Sequence, residues 1–323
     1  MATYADQITA SWLAEIPRQM YDQISKSSPL MYMLMRKKKT WDMGGDVIQP
    51  HLKTSRSTSN GSYRGYDTLD ITPQKTRQPA TFGMKQYYGN MIISGYEQLG
   101  DKGENAIFKQ LAIATDDARD DLLDKFNQDL FGTGAGNGGK NILGLQAAVD
   151  DGTVVGTYGA IDRSTNTFWR SYANNTTGSL TTAKMRTAIT RASLGGGKGG
   201  MDKMPDFIVT DPATWEIFAN MVDGKTTIQQ PLGKIGETFA NLGFTQVSFQ
   251  GIPVVFDEYC PTGTMYFINS NFLQFWVKPG RDFTPSEMVK PANMDAKVGQ
   301  IFWAGELINT APRKHSVLRG ITA

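Results

Sequence analysis

Residues 104 to 131 read ENAIFKQLAIATDDARDDLLDKFNQDLF. Ile107, Leu111, Ala114, Ala118, Leu122, Phe126 and Leu130 recur at three- and four-residue spacing, which predicts an amphipathic helix of about seven turns. Gly132, directly after it, is a C-terminal stop. At about 1.5 Å per residue the helix should run about 40 Å. Ordinary helices have about eleven or twelve residues, and a globule of this chain length has a radius of gyration of about 20 Å. Such a helix is a spine for the whole molecule. Its opposite face carries Asp116, Asp117, Asp120, Asp121 and Asp124 with Arg119 and Lys125 between them. The central glycine of a calcium loop is missing, so the stripe reads as solvated or as facing a neighbouring subunit, with Asp117 and Asp121 as candidate contacts.

Upstream of the spine, Gly44, Gly45 and Asp46 form a turn into a strand at Val47 and Ile48. Ala80 to Ser94 reads as the returning strand, with Phe82, Met84, Tyr88 and Ile92 expected on one face. Between them, Lys53 to Pro79 is Ser, Thr, Arg, Gly and Lys with Leu69 and Ile71 as its only aliphatics, too polar to fold on a core of its own. A connection this long inside a compact domain argues for an outward projection, read here as a two-stranded flap. Isolated two-stranded flaps are marginal in water, so this one needs another molecule to lie against. Lys53, Arg56, Tyr63, Arg64 and Tyr66 are its candidate contacts.

Further upstream, Ile8, Trp12 and Ile16, then Met20, Tyr21 and Ile24 after Pro17, give two short helical patterns. Met31, Met33, Leu34 and Met35 come next as an apolar knot. So short a segment cannot bury Trp12, Met20 and Tyr21 against itself, and it reads as an arm packing on the main body or on a neighbour. Arg36, Lys37, Lys38 and Lys39 close it as a solvated linker end, or as a nucleic-acid or acidic-partner contact.

Downstream, a glycine-rich hinge from Gly132 to Gly139 opens an αβ region. Thr182 to Leu194 is a short helix and Phe207 to Val209 a buried strand. Asp211 as N-cap and Pro212 at the first position start another helix. Ile252 to Phe256, Met265 to Ile268, Phe272 to Val277 and Ile301 to Ile308 are strands, with a Pro-rich stretch from Lys278 to Lys297 before the last. Gly195 to Gly200, around Lys198, reads as a mobile loop.

Composition narrows the chemistry. Among 323 residues, 33 Lys+Arg stand against 31 Asp+Glu, a balance unlike that of a dedicated polyanion binder. One cysteine, Cys260, excludes an internal disulfide framework, and with only His51 and His315 beside it a Cys/His zinc cluster is excluded too. No apolar run reaches the roughly 20 residues of a membrane span, and the N-terminus lacks a signal-peptide pattern, so a soluble chain made in a cytoplasm is expected. Gly134, Gly136 and Gly139 fit a dinucleotide-binding string but come after a helix where a strand is needed. No phosphate-loop motif occurs. His51, His315 and Cys260 lack any nucleophile motif. The pairs Asp150, Asp151 and Asp257, Glu258 sit in turn-like contexts, and Asn60 and Asn175 in glycosylation-type triplets mean little without a secretory signal. No enzyme, cofactor or metal is expected.

The order of arm, projecting flap, spine helix, αβ region and late strand resembles the HK97-type major capsid protein of tailed bacteriophages. Local strings similar to that family are Gly45, Asp46, Val47 entering the flap and Tyr87 to Ser94 leading through Glu97 to the spine. Pro261 to Ile268, and Trp303, Ala304, Gly305 to Arg319, Gly320, are similar too. The resemblance implies an α+β capsid fold with an N-terminal arm at 1–43 and an extended loop at 44–93. It places a peripheral domain at 94–134 and 298–323, and an axial domain at 135–297. It implies self-assembly into pentamers and hexamers of an icosahedral head enclosing double-stranded DNA, located in the virion and assembled in the host bacterial cytoplasm. Implied partners are further copies of the chain, a separate scaffolding protein because the chain starts directly at an arm, a portal, a decoration protein, and DNA touched weakly and non-specifically, with no membrane. Some relatives join a loop lysine to an asparagine, but Lys53, Lys75 and Asn309 carry no matching motif. An encapsulin-like compartment shell and a soluble αβ enzyme built on 135–297 are the alternatives.

Overall fold

The computed structural model describes residues 28–42, 44–55, 57–95, 104–194, 204–223 and 247–322, with backbone only for 104–111 and 247. The expectations on Ile8, Trp12, Ile16, Met20, Tyr21, Ile24, Arg56, Glu97 and Gly195 to Gly200 lie outside the described residues.

The spine helix runs Glu104–Leu130. Ala118, Leu122, Phe126 and Leu130 are buried along it, flanked by a second buried row of Thr115, Arg119, Leu123 and Asn127. Gly132 N–H closes back on Asp129 O at 2.9 Å, ending the helix where the glycine stands. The helix lies on a five-stranded sheet whose central member is the strand Ala296–Asn309. Residues 296 to 305 of that strand pair antiparallel with Lys85–Ser94, Leu273–Val277 pairs with 305 to 309, and Thr284–Pro285 and Lys39–Thr40 complete the sheet. Phe126 of the helix meets Trp303 of the sheet at 4.6 Å between ring centroids, with Tyr87, Phe275 and Phe283 around them. Edge-to-face packing of this kind is favoured by the ring quadrupoles and fixes helix against sheet.

Two strand expectations change. In Lys85–Ser94 the inward face is Tyr87, Met91 and Ile93, while Tyr88 and Ile92 are 64% and 53% exposed. The strand breaks at Met84, whose N–H turns to Asp46 O at 2.9 Å. One residue of slip reverses which side chains face inward, so Phe82 before the break and Tyr87 after it both point to the core. The late strand is also longer than Ile301 to Ile308, because residues 296 to 300 are recruited by pairing with 90 to 94.

A six-stranded mixed sheet forms the second layer, in the order Val247–Phe249, Ile252–Phe256, Phe207–Thr210, Met265–Ile268, Ser316–Leu318, Tyr172–Asn174. Helices Thr182–Leu194 and Pro212–Asp223 start as expected, the latter capped by Asp211 Oδ2 accepting from Thr214 N–H at 3.2 Å. The end of the chain thus passes from the five-stranded sheet at Asn309 into the six-stranded one at Ser316.

The apolar knot is a helix, Pro29–Arg36, with Ser28 Oγ accepting from Met31 N–H at 3.2 Å and Leu30, Met31, Met33, Leu34 and Met35 buried. Of the two possibilities for the knot, it packs on its own main body, against Leu273–Val277.

Candidate functional site

The flap is two-stranded at its base, where His51–Lys53 pairs antiparallel with Arg77–Pro79. Beyond it the two sides are linked by Thr54 N–H to Thr76 O at 3.0 Å, Thr58 N–H to Gln74 Oε1 at 2.8 Å and Ser59 Oγ–H to Asp70 Oδ2 at 3.0 Å. Arg64 N–H donates to Asp67 Oδ2 at 2.8 Å and shapes the tip. These bonds are exposed to water, which competes for every partner, and no described residue from 54 to 78 belongs to either buried apolar cluster. Tyr63, Tyr66, Leu69 and Ile71 nevertheless stand in solvent, Tyr66 entirely and Ile71 at 90%. Lys53, at the flap base, and Arg64 are exposed too. Tyrosine with arginine is the composition of protein interface anchors, and aliphatics held outward on a polar ribbon have no role in a lone chain.

The other candidates divide. Asp117 and Asp121 are exposed on the spine with Asp120 and Asp124, while Arg119 is buried and pairs with Asp116 at 3.1 Å. The basic quartet turns largely inward on its own chain. Lys37 Nζ donates to Ser270 Oγ and to Asn271 Oδ1, and stands 3.8 Å from Asp206. Lys38 pairs with Asp282, Lys39 lies over the Trp276 ring at 5.2 Å, and Arg36 is exposed. With Ser28 Oγ–H on Asp257 Oδ2 at 2.6 Å, these contacts tie the helix Pro29–Arg36 to the body at both ends.

The groups capable of covalent chemistry are dispersed or sealed. His51 is exposed in the flap base, and His315 is fully buried with Nδ1 accepting from Asn269 N–H at 3.2 Å. Burial pushes His315 down to about 3. Cys260 is buried, and burial, with Asp211 and Asp257 nearby, pushes its thiol well above the ordinary value, the reverse of an activated nucleophile. Asp257 is buried while Glu258 is exposed, so the pair does not share a site. Asp150 is buried between Arg319 at 2.8 Å and Arg163 at 3.8 Å. Gly136 to Gly139 make a short irregular turn with Asn137 and Gly138 at positive φ, with no strand feeding it. Asn309 is fully buried, its amide donating to Ala148 O at 2.9 Å, out of reach of a lysine from outside. Among the described residues no three His, Cys, Asp or Glu side chains gather closely enough to hold a metal ion, and no helix is long and apolar enough to cross a membrane.

Neither protein-family models nor curated proteins give a match to this sequence. Solved structures do. The Cyanophage A-1(L) capsid asymmetric unit is similar at a TM-score of 0.66 and 20% identity, over 92% of this chain and 93% of that one. The chain has the HK97-like capsid fold. The capsid of Myoviridae phage XM1 is similar at a TM-score of 0.52 and 12% identity over 86% of each chain. The holo-SrpI encapsulin complex from Synechococcus elongatus PCC 7942 is similar at 0.53 and 10% identity, over 89% of this chain and 86% of that one. Likeness over 86 to 92% of the chain at such low identity is a likeness of architecture.

Sequence reasoning missed the buried ionisable groups, Glu306, Arg163 and Asp150. Glu306 offered one signal, a lone charge in the apolar run Ile301 to Ile308. Nothing in the sequence marks Arg163 as fully buried.

Proposed function

We propose that this chain is the major capsid protein of a tailed bacteriophage, a structural subunit that assembles with its own copies into pentamers and hexamers of an icosahedral head around double-stranded DNA. The observation that carries the reading is the flap: a polar ribbon outside both cores, presenting Tyr63, Tyr66, Leu69 and Ile71 to solvent in a fold otherwise seen in shells. Such a segment gains stability only by lying on a neighbour, so assembly completes the fold. Many modest contacts repeated over a shell add up to high avidity, and near-zero net charge lets subunits approach without repulsion.

In this reading residues 1–43 are the arm, 44–93 the extended loop, 94–134 with 298–323 the peripheral domain and 135–297 the axial domain. Trp12, Met20, Tyr21, Arg36, Lys53, Arg56, Tyr63, Arg64, Tyr66, Asp117 and Asp121 serve subunit contacts, and Lys37, Lys38 and Lys39 seat the arm root that presents them. A scaffolding protein, a portal and a decoration protein complete the particle, which forms in the host cytoplasm. An encapsulin-like compartment is the second reading, favoured by the likeness to the SrpI shell. Negative-stain microscopy of the expressed protein tests shell formation: closed particles are expected, and a solution of monomers refutes it. Nuclease-resistant DNA inside particles from infected cells selects the phage head, and an enclosed enzyme without DNA selects the compartment.

A further inference from the structure

The chain leaves the spine helix through residues 132 to 144, and three consecutive residues there are each held by a side chain from elsewhere. Asn141 Nδ2 donates to Asp129 Oδ1 at 2.9 Å, Ile142 N–H to Tyr87 Oη at 3.0 Å and Leu143 N–H to Glu306 Oε1 at 2.8 Å. Asp129 belongs to the last turn of the spine, Tyr87 to the strand Lys85–Ser94 and Glu306 to the strand Ala296–Asn309. Tyr87 Oη–H donates in turn to Asp129 Oδ2 at 2.8 Å, and Lys85 Nζ donates to Gly139 O. Gly144 approaches so closely that a Cβ there would stand 2.4 Å from Asp129 O. Side chains, not a strand ladder, thus hold the joint between the spine and the αβ region.

One of these holds depends on a proton. Glu306 is fully buried, its Oε1 accepts from Leu143 N–H and from Leu307 N–H at 3.0 Å, and its Oε2 has no hydrogen-bond partner among the described residues. Oε2 is unmet in either form, as an O–H in the neutral acid and as a charged oxygen in the carboxylate, and in a dry site the charge is the costlier of the two. Burial raises the group to about 8, against the pull of the two N–H donors and Lys85. The titratable groups facing it are Lys85 and Tyr87 from the strand Lys85–Ser94, with Asp129 behind Tyr87, and Tyr158 with Arg163 behind it. Burial keeps both tyrosines neutral, so among the described residues Lys85 is the only direct countercharge, and it is engaged with Gly139 O.

We propose that Glu306 is a proton-held latch on the spine-helix exit: the neutral acid keeps Leu143 closed on the late strand, and its ionisation loosens the segment 141 to 143 there. The latch rests on contacts within one chain and stands apart from what the chain assembles into. The closed form binds the proton more tightly than the open form, whose carboxyl has the ordinary value of 4.5. Closure is therefore fully favoured below that value and loses its advantage as the pH rises from there to about 8.

Hydrogen exchange of the full chain, corrected for the intrinsic chemical rate, reads this directly. From pH 5 to 8 the opening of residues 141 to 143 should rise by up to about tenfold per pH unit. Glu306→Gln keeps the acceptor and cannot ionise, so it should flatten the profile. Protection of 141 to 143 that ignores pH in the wild type overturns the latch, and so does a pH dependence that survives Glu306→Gln. The wild-type profile alone decides if that variant does not fold.

Discussion

Arg163 is a fully buried guanidinium that donates to the carbonyls of Trp169, Val155, Ala147 and Ala148 at 2.7 to 3.4 Å while facing Asp150. Burial would raise Asp150, but the N–H of Val155, the Arg319 guanidinium and the N–H of Gly152 outweigh it and hold the carboxyl below the ordinary range. Its stabilisation is present above the unfolded value of about 3.9 and is lost as the pH falls below it. Replacing Arg163 with Met strands four carbonyls and one side of the carboxylate, and should cost about 3–5 kcal/mol by denaturant unfolding at pH 7. His315 acts at milder acidity. Its folded value is depressed from 6.5 to about 3, so the unfolded chain takes the proton first and stability falls as the pH drops through that window. Glu306 pulls the opposite way over part of the same range, so the informative quantity is a difference. Between pH 7 and 5 the wild type should lose up to about 1.4 kcal/mol per unit relative to His315→Gln, measured by denaturant titration; equal losses would show that His315 titrates normally. At this scale the sequence excluded catalytic motifs, because those are spacings, but not which charges are buried, because burial depends on partners more than a hundred residues away, as for Glu306 and Leu143.

The spine helix was legible because its apolar period extends over 27 residues and ends on a glycine. The strand beside it was not, since a single irregular residue at Met84 reverses the alternation, and that irregularity comes from a bond to Asp46 rather than from local propensity. Gly89 shows the same non-local dependence. A Cβ there would stand 2.8 Å from Ala118 O and 3.4 Å from Leu122 Cβ, so strand and spine touch through the missing side chain. Gly89→Ala should destabilise by about 1–3 kcal/mol in denaturant unfolding; an unchanged midpoint would mean that the helix can retreat freely. The flap was read from polarity alone, and its two-stranded form holds at the base. Excising Thr54 to Gln78 removes no described residue of either apolar cluster, so circular dichroism and cooperative melting should persist while closed particles disappear. Normal shells from that deletion would remove the flap from assembly.

The isolated subunit, taken whole, should scatter with a radius of gyration clearly above the roughly 20 Å of a globule of its length. A small-angle scattering value at or below that figure would mean that the projecting segments fold back on their own body. By itself the sequence determined the spine, the helix starts at Asp211 and Pro212, the buried strands and a ribbon too polar for a core, because each arises from the periodicity or composition of neighbouring residues. Only the tertiary structure decided that Lys37 and Lys38 bind their own chain, that Tyr88 faces out, that Arg163 lies dry, and that Glu306 closes on Leu143. Those outcomes belong to contacts between distant segments, and such contacts set burial, strand register and pKa only when the chain has closed.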